Sequence, residues 1–301
     1  MLSNLHPILV KPSHNKPYPP FCKTDIETYI VNRYVNENQC YNFKNVCFIP
    51  MYWTALQNHG RFHQLGNTET GREYLKMLEK QDPSIHYFIV CQYADGVKFK
   101  LRNDINYTIF CGSKGDEPLP LIYDDNEYFN SLEKKTFNKK EYLCSYIGSS
   151  THHIRTNIIK VLKDKPNVYF ENKKWKNDVN TDECDKFINY ALNSKFSLAP
   201  RGYGRSSFRF FEALKMQSIP VYIYDDKIWL PYLDEIDYNK FCIILHESRI
   251  DKLYDIMNNM DETQYNNMLN EYEKVKNYFE LDGLYNYLLR KMKEKDSELN
   301  V

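Results

Sequence analysis

The chain has 301 residues with forty basic and forty acidic side chains, a net charge of zero that excludes the broad positive field on which nonspecific nucleic-acid binding depends. A 42% hydrophobic fraction and a 15% aromatic fraction exclude a disordered chain. The length exceeds what one core usually supports, so two domains are expected, with a single larger α/β unit as the alternative.

Met1 to Pro20 carries Lys11, Lys16 and several prolines and is short on apolar runs, so it reads as neither a signal peptide nor a membrane anchor. The expected compartment is therefore the cytoplasm. Eight cysteines are scattered without a Cys-x-x-Cys pair, several inside apolar runs such as Val46-Cys47-Phe48, which predicts buried free thiols. His152-His153 has no partners nearby in sequence at zinc-ligand spacing, and no metal site is expected.

Short apolar runs at Val46-Ile49, His86-Cys91 and Tyr107-Cys111 suit strands buried on both faces. Thr70 to Lys80, led by Gly66-Asn67-Thr68, reads as a helix between the first two, and strand, helix, strand implies a parallel sheet. The charged stretch from Asp124 to Lys140 reads as a linker with little core. A strand then runs from Tyr142 to Ile147, followed by a small-residue turn at Gly148 to Thr151 and a helix marked by Ile154, Ile158, Ile159 and Leu162. The alternation continues with strands at 167–170, 196–199 and 219–224 and helices at 183–193 and 206–216, the pattern of a doubly wound sheet. A strand at 241–245 precedes a helical stretch from Asp251 to about Glu294, broken near Asp282-Gly283.

Open parallel sheets bind ligands where strands end and helices begin, because backbone N–H groups and a positive helix terminus are exposed there. In the first such loop, Gly148 and Ser149 leave space beside the backbone, and Arg155 lies one turn into the next helix. The second is Pro200-Arg201-Gly202-Tyr203-Gly204-Arg205-Ser206-Ser207, leading into a helix with Arg209 and Glu212. Glycines explain a turn, but three arginines crowded at one helix start suit a pyrophosphate. Glu212, among Phe208, Phe210, Phe211 and Leu214, needs a partner: either Arg205 or Arg209, or the ribose hydroxyls of a nucleotide. Asp124-Asp125 and Asp225-Asp226 read as turn or linker acids.

The stretches Ser194 to Gly202, Ser207 to Leu214 and Ile219 to Ile223 resemble the donor-binding core of exostosin-family glycosyltransferases, with Tyr146-Ile147-Gly148 and Arg155 matching the family's first donor-side loop. The resemblance covers about Tyr142 to Leu245. Gln217-Ser218 stands where the family usually has a glycine. The resemblance implies an α/β GT-B fold: two Rossmann-like domains with a cleft between them and a helical C-terminus. Residues 1–140 would form the acceptor-side domain, 141–250 the donor-binding domain, and 251–301 helices that pack back on the N-terminal domain through Tyr285, Leu288 and Leu289.

It further implies inverting transfer from a nucleotide-diphosphate sugar, uridine being the family's usual base, to a glycan or other hydroxyl acceptor. No cofactor beyond that co-substrate is expected, and no membrane span or nucleic-acid partner. Gly148, Ser149, Arg155, Arg201, Gly202, Tyr203, Gly204, Ser206, Ser207, Arg209 and Glu212 are the expected donor-binding set, and Arg155, Arg201 and Arg209 would stabilise the departing diphosphate. Asp95, after a strand, is the first choice of base and His59 the second. A guanine-nucleotide enzyme of the fucosyltransferase kind and a non-catalytic nucleotide- or glycan-binding module are the alternatives. The donor sugar, acceptor, linkage and oligomeric state stay open.

Overall fold

The computed structural model describes residues 22–37, 42–59, 69–98, 100–124, 126–174 and 180–300. Two all-parallel sheets organise the chain, giving the two Rossmann-like domains expected of it. In the first, β1 (Val46–Phe48), β2 (His86–Cys91), β3 (Asn106–Cys111) and β4 (Glu117–Pro118) lie in that order, with Val46 beside His86 and His86 beside Asn106. The central strand β2 is apolar over Tyr87 to Cys91 because it is covered on both faces. Helix α3 (Glu69–Glu79) falls within one residue of its expected span.

Three helices of this half, and the short strand β4, lie outside the elements read from the sequence. Helix α1 (Ile26–Glu37) buries Ile26, Ile30, Val31 and Tyr34, a helical spacing that faces the first core. Helix α2 (Trp53–His59) follows β1. Helix α4 (Asn126–Ser131) stands within the charged stretch taken as a linker, and it buries Phe129 against Tyr123, Ile188, Ala191 and Met216. That stretch contributes core after all, although only one of its aromatic side chains is fully buried.

The second sheet holds β5 (Tyr142–Gly148), β6 (Val168–Asn172), β7 (Ser194–Pro200), β8 (Ile219–Tyr224) and β9 (Ile243–His246), in the order β6-β5-β7-β8-β9. Helix α5 (His153–Leu162) links β5 to β6, and α6 (Thr181–Leu192) then carries the chain to the other side of β5. The winding direction thus reverses between β5 and β7. In an open parallel sheet that reversal splays the loops apart and opens a crevice at the C-terminal strand ends.

Helix α7 (Phe208–Lys215) packs Phe210, Phe211, Ala213 and Leu214 inward and ends in a left-handed turn. Gln217 has φ of +51°, Ser218 N–H donates to Ala213 O at 3.0 Å and Gln217 N–H donates to Leu214 O at 3.1 Å. This pair of bonds is the Schellman closure, which favours glycine at the position Gln217 occupies. The departure from the family's glycine therefore falls on a backbone conformation in which a side chain is strained.

At the C-terminus, α8 (Leu253–Asn258) and α9 (Glu262–Val275) stay with the second sheet, where Leu253, Met257 and Tyr265 join its core. Helix α10 (Leu281–Leu299) alone crosses to the first: Tyr285, Leu288 and Met292 pack among Ile26, Ile30, Phe48, Phe88 and Phe110. Near its end the Asp296 carboxylate accepts the N–H groups of Lys44 and Asn45 at 3.0 and 2.6 Å. The break comes at Lys276–Phe279, before the expected place, and Gly283 lies inside α10.

Candidate active site

The expected donor residues gather at the C-terminal edge of the second sheet, around the reversal between β5 and β7. Arg155, in the first turn of α5, is only 8% exposed. Its guanidinium donates to three backbone carbonyls: Ser149 O at 2.9 Å, Arg201 O at 3.1 Å and Pro200 O at 3.5 Å. It thereby ties the loop after β5 to the loop after β7. Among the described residues no carboxylate pairs with it. Burial pushes its pKa down to about 10; Tyr146 opposes that fall and the charge of Arg209 adds to it.

Arg209 lies on α7 and points back toward the same place. Its guanidinium carbon is 5.5 Å from the centre of the Tyr146 ring and 5.8 Å from that of Phe187, while the Arg155 carbon is 6.0 Å from the Tyr146 ring. Tyr146, at the end of β5, is therefore flanked by two guanidinium groups, and Arg209 too has no carboxylate partner among the described residues. Two like charges held together at one sheet edge without a counterion have the electrostatics of an anion site.

The glycines are needed here for arginine rather than directly for backbone access. A Cβ at Gly202 would stand 2.3 Å from Arg155 Nη2, and one at Gly148 would stand 2.9 Å from Arg209 Nη2 and 2.8 Å from Tyr146 Oη. Each loop thus gives the guanidinium of another element a seat against its backbone.

Arg201 and Arg205 are arranged differently. Arg201 Nη1 donates to Asp225 Oδ1 at 2.6 Å and to Asp226 at 3.3 Å, and its Nε is buried without a partner. Arg205 forks onto Asp226, with Nε to Oδ2 at 2.8 Å. Those hydrogen bonds, from Arg205 first, hold the Asp226 carboxyl well below its ordinary range. The acidic doublet read as a turn at the end of β8 thus neutralises the loop arginines, a role that only the spatial adjacency of β7 and β8 reveals.

The same loop reaches the first domain. Arg205 N–H donates to Ser113 Oγ at 2.9 Å and Arg205 Nη1 to Ser113 O at 2.8 Å, just beyond β3, and Gly204 sits against Ala94 and Ser113. Tyr203, 67% exposed, donates its hydroxyl to Asp95 Oδ2 at 2.6 Å. Trp229 is buried and donates to Cys111 O at 3.1 Å. The C-terminal edge loops of both sheets therefore meet.

Asp95 stands in the turn after β2, where Gly96 takes a φ of +72°. Besides Tyr203 it holds Lys98 at 2.7 Å and Lys114 at 3.2 Å. Burial raises its pKa, but the hydrogen bonds of Lys98, Tyr203 and Lys114 prevail and bring it to about 2. His59 ends α2, and its side chain lies outside the described residues.

Ser149 contributes its carbonyl to Arg155. Ser207 is the N-terminal cap of α7, makes no side-chain capping bond and, like Ser206, is half-buried, so the amide end of the helix is not closed off by its own cap. Glu212 accepts the Tyr123 hydroxyl at 2.7 Å. Among the described residues neither Arg205 nor Arg209 is seen paired with it, and Tyr123, from the segment after β4, is one of its partners.

One further group was not legible from spacing. His152 and His153, at the start of α5, meet Asp225 from β8, and Glu247 lies 2.7 Å from His153 Nε2.

Arg155 and Arg209, without a carboxylate partner among the described residues, thus stand at the switch point of the second sheet, the place where open parallel α/β sheets generally bind ligands. The sequence pattern described as the Exostosin GT47 domain matches residues 97–260, more than half the chain, from before β3 to the end of α8, and the chain belongs to that family of glycosyltransferases. It is 32% identical over 158 residues to the Exostosin-1 homolog of Caenorhabditis elegans, which covers 44% of this chain and 40% of that protein. It is 29% identical over 116 residues to a "Probable glycosyltransferase" of Arabidopsis thaliana, covering 36% and 22%. The match thus spans two fifths or less of these relatives' own length. A solved structure, that of TarM, aligns with 88% of this chain and 58% of its own at a TM-score of 0.42 and 10% identity.

Proposed function

We propose that this chain transfers a sugar, with inversion, from a nucleotide-diphosphate sugar to a hydroxyl of a glycan acceptor, and that UDP is the leaving nucleotide. The observation that supports this reading most directly is Arg155, a buried guanidinium that donates to three backbone carbonyls and has no carboxylate partner among the described residues, beside Arg209. A departing diphosphate gains charge as the bond to the anomeric carbon breaks. Fixed cations in a partly dry site stabilise that charge without having to reorganise. Both arginines are already held in place, Arg155 by three carbonyls and Arg209 against two rings, so little conformational entropy is lost when the anion arrives. The amide end of α7 adds a fixed partial positive charge.

Loop arginines Arg201 and Arg205 serve mainly to hold the 201–205 loop between β8 and the first domain. Asp95 belongs to the same fastening. A carboxylate held at about 2 is a poor acceptor for a hydroxyl proton, so its part in this reading is to bridge the domains through Tyr203 rather than to act as base.

A thermal-shift panel of UDP, GDP and CMP tests the reading. A ligand at 100 times its dissociation constant adds about 2.7 kcal/mol of stability. UDP is expected to stabilise the chain more than GDP or CMP do; no response to any nucleotide would overturn the assignment.

A further inference from the structure

The pair His152-His153 finds in space what it lacks in sequence. His152 caps α5 in an extended conformation, with φ of −148° and ψ of 148°, and His153 opens the helix, so the rings lie side by side with centroids 4.3 Å apart. Asp225, at the end of β8, brings Oδ2 to 3.5 Å from His152 Nε2. One ligating atom from each of the three residues lies within 4.8 Å of the others.

We propose that His152, His153 and Asp225 form a binding site for a divalent transition-metal ion of the zinc type, on the same sheet edge as the arginine site but distinct from it. The separation of 3.5 Å between His152 Nε2 and Asp225 Oδ2 is long for a hydrogen bond. It fits two ligands on one tetrahedral ion, since bonds of about 2.1 Å set ligand atoms about 3.4 Å apart. The surrounding contacts match what such a site requires. His153 Nε2 is held by Glu247 at 2.7 Å, which leaves Nδ1 to ligate, the carboxylate-histidine-metal relay that fixes ring orientation in metal sites.

Asp225 shares its load, Oδ1 on Arg201 at 2.6 Å and Oδ2 toward His152, so it can bridge both cations. The local balance also admits a dication: Asp225, Asp226 and Glu247 face Arg201 and Arg205. Binding has one local cost. The 3.4 Å contact from Ile154 N–H to His152 Nδ1 is given up, because a ring metallated at Nε2 carries its proton on Nδ1. Three protein ligands leave a fourth position for water or a ligand oxygen, and the 55% exposure of the His153 side chain keeps that position open to solvent. Two imidazoles and one carboxylate select zinc, nickel or cobalt over magnesium or calcium.

The test is calorimetric titration of Zn2+ into the full chain without nucleotide, which separates this proposal from the donor reading. One equivalent is expected to bind, with excess Mg2+ failing to compete. His153→Ala, at an exposed position where folding is not at stake, should weaken binding at least tenfold, and His152→Ala/His153→Ala should abolish it. Absence of stoichiometric uptake overturns the proposal. So does uptake that survives in the double variant, which would assign the ion to other groups such as the free thiols.

Discussion

The two arginine pairs on the second domain's sheet edge differ in one respect that decides their roles. Arg201 and Arg205 come from the loop that advertises itself in sequence, and both are matched by Asp225 and Asp226. Arg155 and Arg209 come from two separate helices, lie around one tyrosine ring and have no carboxylate among the described residues. A matched guanidinium at a partly exposed site contributes little net attraction to an incoming anion, whereas an unmatched one in a desolvated seat contributes much. On the proposed reading, the conspicuous loop is fastening and the quieter pair supplies the binding charge.

Changes to the inner pair should have the largest effect. Arg155→Ala removes the buried charge and leaves the carbonyls of Ser149, Pro200 and Arg201 without their donor, so transferase activity on a UDP-sugar should fall by at least about a hundredfold. Arg155→Lys should not restore it, since one ammonium cannot span the same three acceptors. Initial-rate measurements on both variants check this.

Asp226→Asn, in the outer pair, should act on loop order instead. It removes the partner of Arg205 without touching Arg155, and a loss of activity of about tenfold or less, with earlier proteolytic cleavage around 201–205, is expected. Asp95→Asn sits lower still: a bridge to Tyr203 is weakened, and the rate should drop less than tenfold with its pH profile unmoved. A drop of a thousandfold with a lost pH limb would instead make Asp95 the base.

Within the first domain, pH acts on two carboxylates in opposite senses. Glu27 is fully buried; desolvation raises its pKa to about 7, against the hydrogen bonds from Thr54 and Gln92. A carboxyl raised in the folded state takes up protons on folding, so its contribution is fully present below about 4.5 and lost as pH rises through 7. Asp95, depressed to about 2, behaves in the opposite sense: its contribution is present above about 4 and lost as pH falls toward 2. Chemical denaturation between pH 4.5 and 8 should show Glu27→Gln flattening the decline. The smallest effect is expected at Gln217→Gly, which relieves a left-handed side chain and should add up to about 1 kcal/mol of stability by the same measurement.

Legibility in the sequence follows the same divide. Strands β2 and β8 are almost wholly apolar, and β5 and β7 are mostly so, because both faces of each sheet are covered, and such runs announce themselves. Helix α1 carried its signal in the spacing of Ile26, Ile30, Val31 and Tyr34, yet the segment lacks any motif that draws a reader to it. Helix α4 holds a single buried aromatic amid charge, and β4 has two residues, one of them Pro118. Neither offers a period to detect.

Site residue types were legible too, since glycines and arginines crowd two strand-to-helix loops. Their pairing was not. Arg201 meets Asp225 because β7 and β8 are neighbours, and Ser113 meets Arg205 because the two sheets present their C-terminal edges to each other. Such contacts depend on topology, which spacing alone does not encode.

The central claim is tested most directly by titrating UDP calorimetrically into the wild-type chain and into Arg155→Ala, Arg209→Ala, Arg201→Ala and Arg205→Ala. The account predicts that the first two lose at least tenfold in affinity, the last two less than about threefold, and that all four stay folded by thermal melting. Affinity that falls with Arg201 and Arg205 while surviving the loss of Arg155 and Arg209 would contradict it.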